Sequence, residues 1–300
     1  MALYDMPAPA KLNLFLHVVG RRADGYHELQ TVFRFIDLYD RLDFDARADG
    51  LISCDNPALD EAGGDDLIVR AARALRRVTG VHAGVHVVCR KHIPVGGGLG
   101  GGSTDAATTL IALNRLWNCG LSRVALMRIG LSLGADVPAF IFGQSAFAEG
   151  VGADLTAVAL PDRVYVVAQP YQVVPTQAVF AAPELTRDTA CVTIAVFADW
   201  QRRSNAVFFG RNDLEPVACA MYPAVGQLAK WFRQCGINAR MTGSGACFFA
   251  EFVSMDQALE CQREITAEAS SNSGAGASVI KNSWLCQGLV EHPLLHWMSR

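Results

Sequence analysis

Charge is scarce in this sequence. Only 18% of its 300 residues are Asp, Glu, Lys or Arg, against 51% apolar residues, and the formal net charge is −3. That balance supplies material for sizeable cores and excludes a disordered chain. Lys and Arg form no run or stripe, so the electrostatic footprint of a nucleic-acid binder is missing, and no nucleic-acid partner is expected. No apolar run approaches the roughly 18 residues of a membrane span, so no membrane segment is expected. The nine cysteines are scattered, odd in number and never spaced Cys-x-x-Cys. That excludes a disulfide framework or zinc knuckle and predicts reduced thiols in a cytoplasmic protein. "LNLFLHVV" runs into "GRRADGYH" with no small-residue cleavage site, so it reads as a strand and not as an export signal.

What is present reads as α+β in two domains, the length alone favouring two. "KLNLFLHVVG" and "VFRFIDLYDRLDFDA" are strand-like. "DDLIVRAARALRRV" predicts a helix with Leu67, Ala71, Ala74, Leu75 and Val78 on its apolar face. "GVHVVCRKHI" is a strand. "STDAATTLIALNRLW" predicts a helix capped by Ser103 or Thr104, and a further helix spans Arg123 to Leu133. The composition shifts at "EGVGADLTAVALPD", which sets the boundary between residues 1–157 and 158–300. Beyond it come a strand at "RVYVVAQP" and a helix at "YPAVGQLAKWFRQCG" that buries Val225, Leu228, Ala229 and Phe232. A strand pair follows around "GSG", then a helix from Met255 to about Ala269, a flexible loop at "SSNSGAGA" and a last strand at "ASVIKN".

The segment "PVGGGLGGGSTD", Pro94 to Asp105, is half glycine. Glycine gives up more backbone freedom on folding than any other residue, so a run of this density needs a use. Gly96, Gly98 and Gly101 satisfy G-x-G-x-x-G, but a dinucleotide fold also needs a strand ending in an acid about 20 residues on. Here "LWNCGLSRVALMRIG" fills that window with helix. No Gly-Lys-Ser/Thr follows, so this is not a Walker A loop. The remaining reading is a phosphate cradle, in which backbone amides and the positive end of a helix close around an anion. Such a site must be completed from elsewhere. Lys11, at the head of the first long strand, and Asp136, in the apolar "LGADVPAF", are the candidates, since an Asp among such neighbours is seldom buried without a partner.

With these residues in view, the chain resembles the superfamily of galactose, homoserine, mevalonate and phosphomevalonate kinases. The resemblance rests on "PAKLNLFLHVVGRRADGYHELQTVF", "PVGGGLGGGSTDAATTL", "LGADVPAF", "AEGVG" and "TGSGACFF", in the family's order over nearly the whole chain. "PAKLNLFL" and "ADGYH" resemble the members that act on a cytidine-diphosphate alcohol. The resemblance implies a ribosomal-protein-S5-like N-terminal domain and a ferredoxin-like C-terminal domain with the active site between them. It implies transfer of the γ-phosphoryl of ATP, with Mg²⁺, to the 2-hydroxyl of a diphosphocytidyl methylerythritol, in the non-mevalonate route to isoprenoid precursors.

Residue by residue, the resemblance makes Lys11 and Asp136 a catalytic pair. It makes Pro94, Val95, Gly96, Gly97, Gly98, Leu99, Gly100, Gly101, Gly102, Ser103 and Thr104 the ATP-phosphate loop. It places Asn13 beside the reacting hydroxyl, Tyr26 and His27 around the cytosine ring, and Phe180 as a second aromatic wall. The "TGSG" run, Thr242 to Gly245, would face the phosphates from the second domain. No protein ligand for a metal is legible, Ser103 being a candidate for Mg²⁺. Asp66 stands where the family usually has Asn. An ionised Asp only accepts hydrogen bonds, which puts an adenine contact there in question.

Overall fold

The first two strands are long because their sequence alternates over long stretches. β1 (Ala2–Arg21) pairs antiparallel with β2 (His27–Arg47), with several bulges in the register. In the computed structural model, residues 1–57, 66–203, 208–270 and 278–298 are described. β3 (Ile52–Asp55), α1 (Leu67–Thr79), β4 (Gly84–Arg90), α2 (Gly101–Leu116), α3 (Arg123–Leu131), α4 (Val137–Phe142), β5 (Ala146–Glu149) and β6 (Asp154–Ala157) complete the first half. The second half holds β7 (Val164–Gln169), α5 (Thr176–Ala181), α6 (Ile194–Arg203), α7 (Glu215–Met221), α8 (Pro223–Gln234), β8 (Ala239–Met241), β9 (Phe248–Phe252), α9 (Met255–Ser270) and β10 (Asn282–Leu289).

One sheet path runs β3-β4-β2-β10-β7-β9-β8. β10 is the hinge of that order, pairing along its length with β7 and at Gly288 and Leu289 with β2. In the first half, α1 and α2 cover the sheet with Leu75, Leu110 and Leu113 against Val85 and Val87. In the second, α8 and α9 place Val225, Leu228, Phe232 and Ile265 against Val166, Ala168 and Phe248. The boundary expected at residue 157 falls between β6 and β7, and chain segments cross it in both directions. Leu16 and Val18 of β1 pack in the second core, whereas Leu294 and Met298 pack in the first.

Several local expectations need correction. Val78 is 62% exposed, because α1 stops one residue later at a left-handed Gly80 and its last turn carries no core contact. The predicted α3 ends at Leu131 instead of Leu133. The last strand is not "ASVIKN": Ile280 is buried from a loop, and the strand begins at Asn282, where pairing with Gln169 starts. Apolar content does not separate the two stretches; partner strands and not local hydrophobicity decide which one pairs. Most of "SSNSGAGA" lies outside the described residues.

Asp66 has a visible structural use. It is the N-cap of α1: Oδ1 accepts from the Ile68 amide at 2.7 Å, and Oδ2 from Asn56 Nδ2 at 3.1 Å. A carboxylate there satisfies an orphan amide and faces the positive end of the helix. Asp66→Ala is therefore expected to cost about 1 kcal/mol in urea unfolding, and Asp66→Asn much less. Equal losses for the two would remove the cap as the explanation.

Candidate active site

The glycine segment joins β4 to α2. α2 begins at Gly101 and is capped by Gly100, whose φ of 76° is left-handed and which makes no side-chain cap bond. This corrects the expected Ser103 or Thr104 cap. Both residues fall inside the first turn, where Ser103 lines the cavity while Thr104 is buried, with its Oγ1 unpartnered. The first amides of α2 have no intrahelical acceptor and remain available to an anion.

Close approach, as well as ligand binding, explains the missing side chains. A Cβ on Gly98 would stand 2.1 Å from the Thr242 carbonyl oxygen, and the residue's φ is 75°. The segment hydrogen-bonds the loop after β8: the Ala246 amide donates to Gly96 O at 3.2 Å and the Cys247 amide to Gly97 O at 3.1 Å. The two halves of the molecule thus meet backbone to backbone.

Lys11 and Asn13 alternate onto one side of β1. Lys11 is buried, and its Nζ donates to Asn13 Oδ1 at 2.5 Å and to Gly98 O at 2.9 Å. Asp136 Oδ2 stands 3.4 Å away, on a side chain still 37% exposed. That carboxylate is the N-cap residue of α4 but accepts no cap bond, so its oxygens remain free for another donor. Asn13 is fixed from both ends: its side chain donates to Thr31 Oγ1 at 2.9 Å, and its amide to Thr242 Oγ1 at 3.0 Å.

These groups open onto a cavity of about 510 Å³ lined by Lys11, Asn13, Asp136, Phe180, Ser244 and the segment Pro94–Ser103. Ser244 Oγ is 2.7 Å from Thr176 Oγ1. His27 and Phe180 come together with ring centroids 5.1 Å apart. Tyr26 is 66% exposed on the β1–β2 turn and, like Thr104 and His27, is not on the cavity wall. Among the described residues no group of three or more His, Cys, Asp or Glu side chains is arranged to hold a metal ion.

Two features were missed by sequence reasoning. Arg187 donates to His27 Nε2 at 3.1 Å. Beneath the glycine segment, buried Asp40 accepts from the amides of His92 at 2.6 Å and Ile93 at 2.8 Å, and its other oxygen accepts from Lys91 Nζ. Lys91 also donates to Asp105 Oδ2 at 2.6 Å. Burial would lower the Lys91 pKa, but Asp105 and Asp40 together outweigh it and hold the ammonium above the usual lysine value. Asp105 is pushed up, by burial first and then by Asp40, against the pull of Lys91. Only the Asp105–Lys91 spacing is short enough to have been suspected; Asp40 lies 51 residues from Lys91.

Lys91→Met would leave two buried carboxylates unpaired, a loss of about 3–5 kcal/mol. Lys91 pulls the Asp105 pKa down against burial and Asp40, so without Lys91 the folded chain binds that proton more tightly, a difference felt only where wild-type Asp105 is ionised, above about pH 8. The gap in unfolding midpoint between variant and wild type should therefore narrow as the pH falls from about 10 to about 8. A gap that is constant or widens on acidification contradicts the arrangement.

The signature of the GHMP kinases N terminal domain matches residues 66–144, and that of the GHMP kinases C terminal domain matches residues 196–272. The chain is 57% identical to a 4-diphosphocytidyl-2-C-methyl-D-erythritol kinase of Bordetella bronchiseptica, covering 100% of both chains. It is 49% identical to the protein of that name from Dechloromonas aromatica, over 96% of this chain and 98% of that one. A crystal structure of 4-(cytidine 5'-diphospho)-2C-methyl-D-erythritol kinase superposes with a TM-score of 0.77 at 33% identity, over 96% of this chain and 99% of the other. The mevalonate kinase of Methanococcus jannaschii, at 14% identity and a TM-score of 0.66, shares the fold. The chain belongs to the GHMP kinase family, in its 4-diphosphocytidyl-2-C-methyl-D-erythritol kinase branch.

Proposed function

We propose that the protein transfers the γ-phosphoryl group of ATP to the 2-hydroxyl of 4-diphosphocytidyl-2-C-methyl-D-erythritol, giving the 2-phosphate and ADP. This is a step of non-mevalonate isoprenoid precursor synthesis. The observation that carries the reading is the meeting of the Lys11 ammonium and the Asp136 carboxylate, 3.4 Å apart, on the wall that the glycine segment also lines. Full-length identity to kinases of that name supports the choice of substrate.

Phosphoryl transfer runs through a loose transition state, where positioning and charge stabilisation are most of the catalysis. The amides of Gly96–Ser103 and the start of α2 hold the triphosphate. Lys11, aimed by Asn13 and Gly98 O, offsets charge between the γ-phosphoryl and the acceptor oxygen. Asp136, with free lone pairs and partial exposure, accepts the hydrogen bond of the substrate 2-hydroxyl and takes its proton late. Asn13 orients the same hydroxyl. Ser103, the hydroxyl of the first turn on that wall, would help hold a Mg²⁺ that offsets negative charge on the nucleotide phosphates. At the other end of the alcohol, Tyr26, His27 and Phe180 receive the cytosine ring. Nine free thiols suit a reducing cytoplasm, and no helix among the described residues is long and apolar enough to cross a membrane.

Phosphorus NMR of the protein with Mg-ATP and the diphosphocytidyl alcohol should show a new phosphomonoester signal. Turnover of mevalonate or homoserine in its place would overturn the substrate assignment. Asp136→Asn should lower kcat by about a thousandfold while ATP affinity stays within a few-fold; unchanged turnover would refute its role.

Base stacking predicts a separate effect. Tyr26→Ala should raise KM for the cytidine substrate by roughly tenfold and leave KM for ATP nearly unchanged. Equal shifts in both would count against the contact.

A further inference from the structure

Arg187 donates all five of its N–H groups. Nη1 bonds Pro183 O at 3.4 Å and Leu185 O at 2.9 Å, and Nη2 bonds Phe180 O at 3.1 Å and Ala182 O at 2.7 Å. The fifth donor, Nε, points at His27 Nε2, 3.1 Å away. The segment carrying Arg187 is itself tied to the first half of the chain. The Thr189 amide donates to Val18 O at 3.1 Å, and Val192 exchanges bonds with the Gln30 side chain at 2.8 and 2.9 Å.

This geometry decides a proton position. A guanidinium has no acceptor and keeps its protons, so the nitrogen it faces must offer a lone pair. His27 Nε2 is therefore unprotonated, and the ring proton sits on Nδ1. Nδ1 has no hydrogen-bond partner among the described residues, and the ring lies tilted by 32° against that of Phe180, 5.1 Å between centroids, and Phe180 lines the cavity. Burial first, then the charges of Arg187 and Arg21, lowers the His27 pKa, which keeps the ring neutral.

We propose that Arg187 is a positioning residue that locks His27 as its Nδ1–H tautomer, and that this one free donor selects cytosine over uracil. Cytosine presents a lone pair at its ring N3, whereas uracil presents an N–H there, which would face the Nδ1–H donor to donor. A site built to hydrogen-bond one edge rejects the analogue that leaves its donor unpaired. The inference rests on the cytidine reading above and adds the group that enforces it. A lysine could not replace Arg187, since it lacks the planar fork that serves four carbonyls and one imidazole together.

Heteronuclear NMR of the histidine ring nitrogens, on the full chain without nucleotide and near neutral pH, tests the lock directly; His27→Gln assigns the signals. The proton is expected on Nδ1 in the wild type and spread over both nitrogens in Arg187→Lys. A wild-type proton on Nε2 overturns the proposal, and that measurement needs no variant at position 187 to fold. Base choice is read by titrating CDP against UDP at the His27 signals, with CDP expected to bind more tightly. Arg187→Lys should shrink that preference by roughly tenfold and raise KM for the cytidine alcohol by a similar factor, with KM for ATP unchanged. An unshifted CDP/UDP preference in Arg187→Lys also overturns it. If the cytidine alcohol is not turned over while the tautomer and CDP preference are as expected, the reaction assignment fails and the lock stands.

Discussion

The carbonyl of Gly98 is the point on which the site depends. It accepts from Lys11 Nζ at 2.9 Å and from Thr242 Oγ1 at 3.5 Å, so one oxygen joins the first strand, the glycine segment and the loop of the second half. The junction tolerates no side chain, because the Thr242 carbonyl already occupies the space of a Cβ. Thr242 in turn accepts from the Asn13 amide, and Asn13 accepts from Lys11. Behind the loop, Asn212 Nδ2 donates to Met241 O at 2.7 Å and Gly243 O at 2.9 Å. The position of the proposed catalytic ammonium is thus a consequence of how the two halves lock together, with few degrees of freedom left for the side chain to wander.

Two buried lysines show how surroundings separate structural charge from reactive charge. Lys91 is saturated by two carboxylates, both almost fully buried, and its ammonium is held firmly protonated. Such a triad resists change; it pins the entry to the glycine segment through the amides of His92 and Ile93. Among the described residues, Lys11 has only neutral acceptors at hydrogen-bond distance, and its one carboxylate neighbour is farther away and open to the cavity. Its charge is therefore less neutralised, as its proposed contact with an incoming phosphoryl group requires.

The far end of the site follows the same logic with a neutral ring. His27 is held by an arginine whose remaining donors are all consumed by backbone carbonyls, and the arginine's segment is stitched to β1 and β2. Phe180 contributes twice, by its ring to His27 and by its carbonyl to Arg187. The proposed recognition at this end would consequently be preorganised by the fold.

The chain alone specified the long alternating strands, the buried face of α1 apart from Val78, that of α8, the glycine segment, and Lys11 and Asp136 as its partners, because each of these is written in local period or in a motif with a mechanism. It also announced its family, through motifs in a fixed order. Tertiary structure decided the rest. The resemblance leads to an expected Asn at position 66, yet whether Asp66 caps a helix depends on the backbone angles around it, and these are set by packing. The last strand is chosen by its partners β7 and β2, which begin pairing only at Asn282, the final residue of "ASVIKN". Asp40 and Arg187 meet Lys91 and His27 across 51 and 160 residues of chain. Pairings of that range leave no periodic trace in sequence, since they are made only when separate elements have already docked.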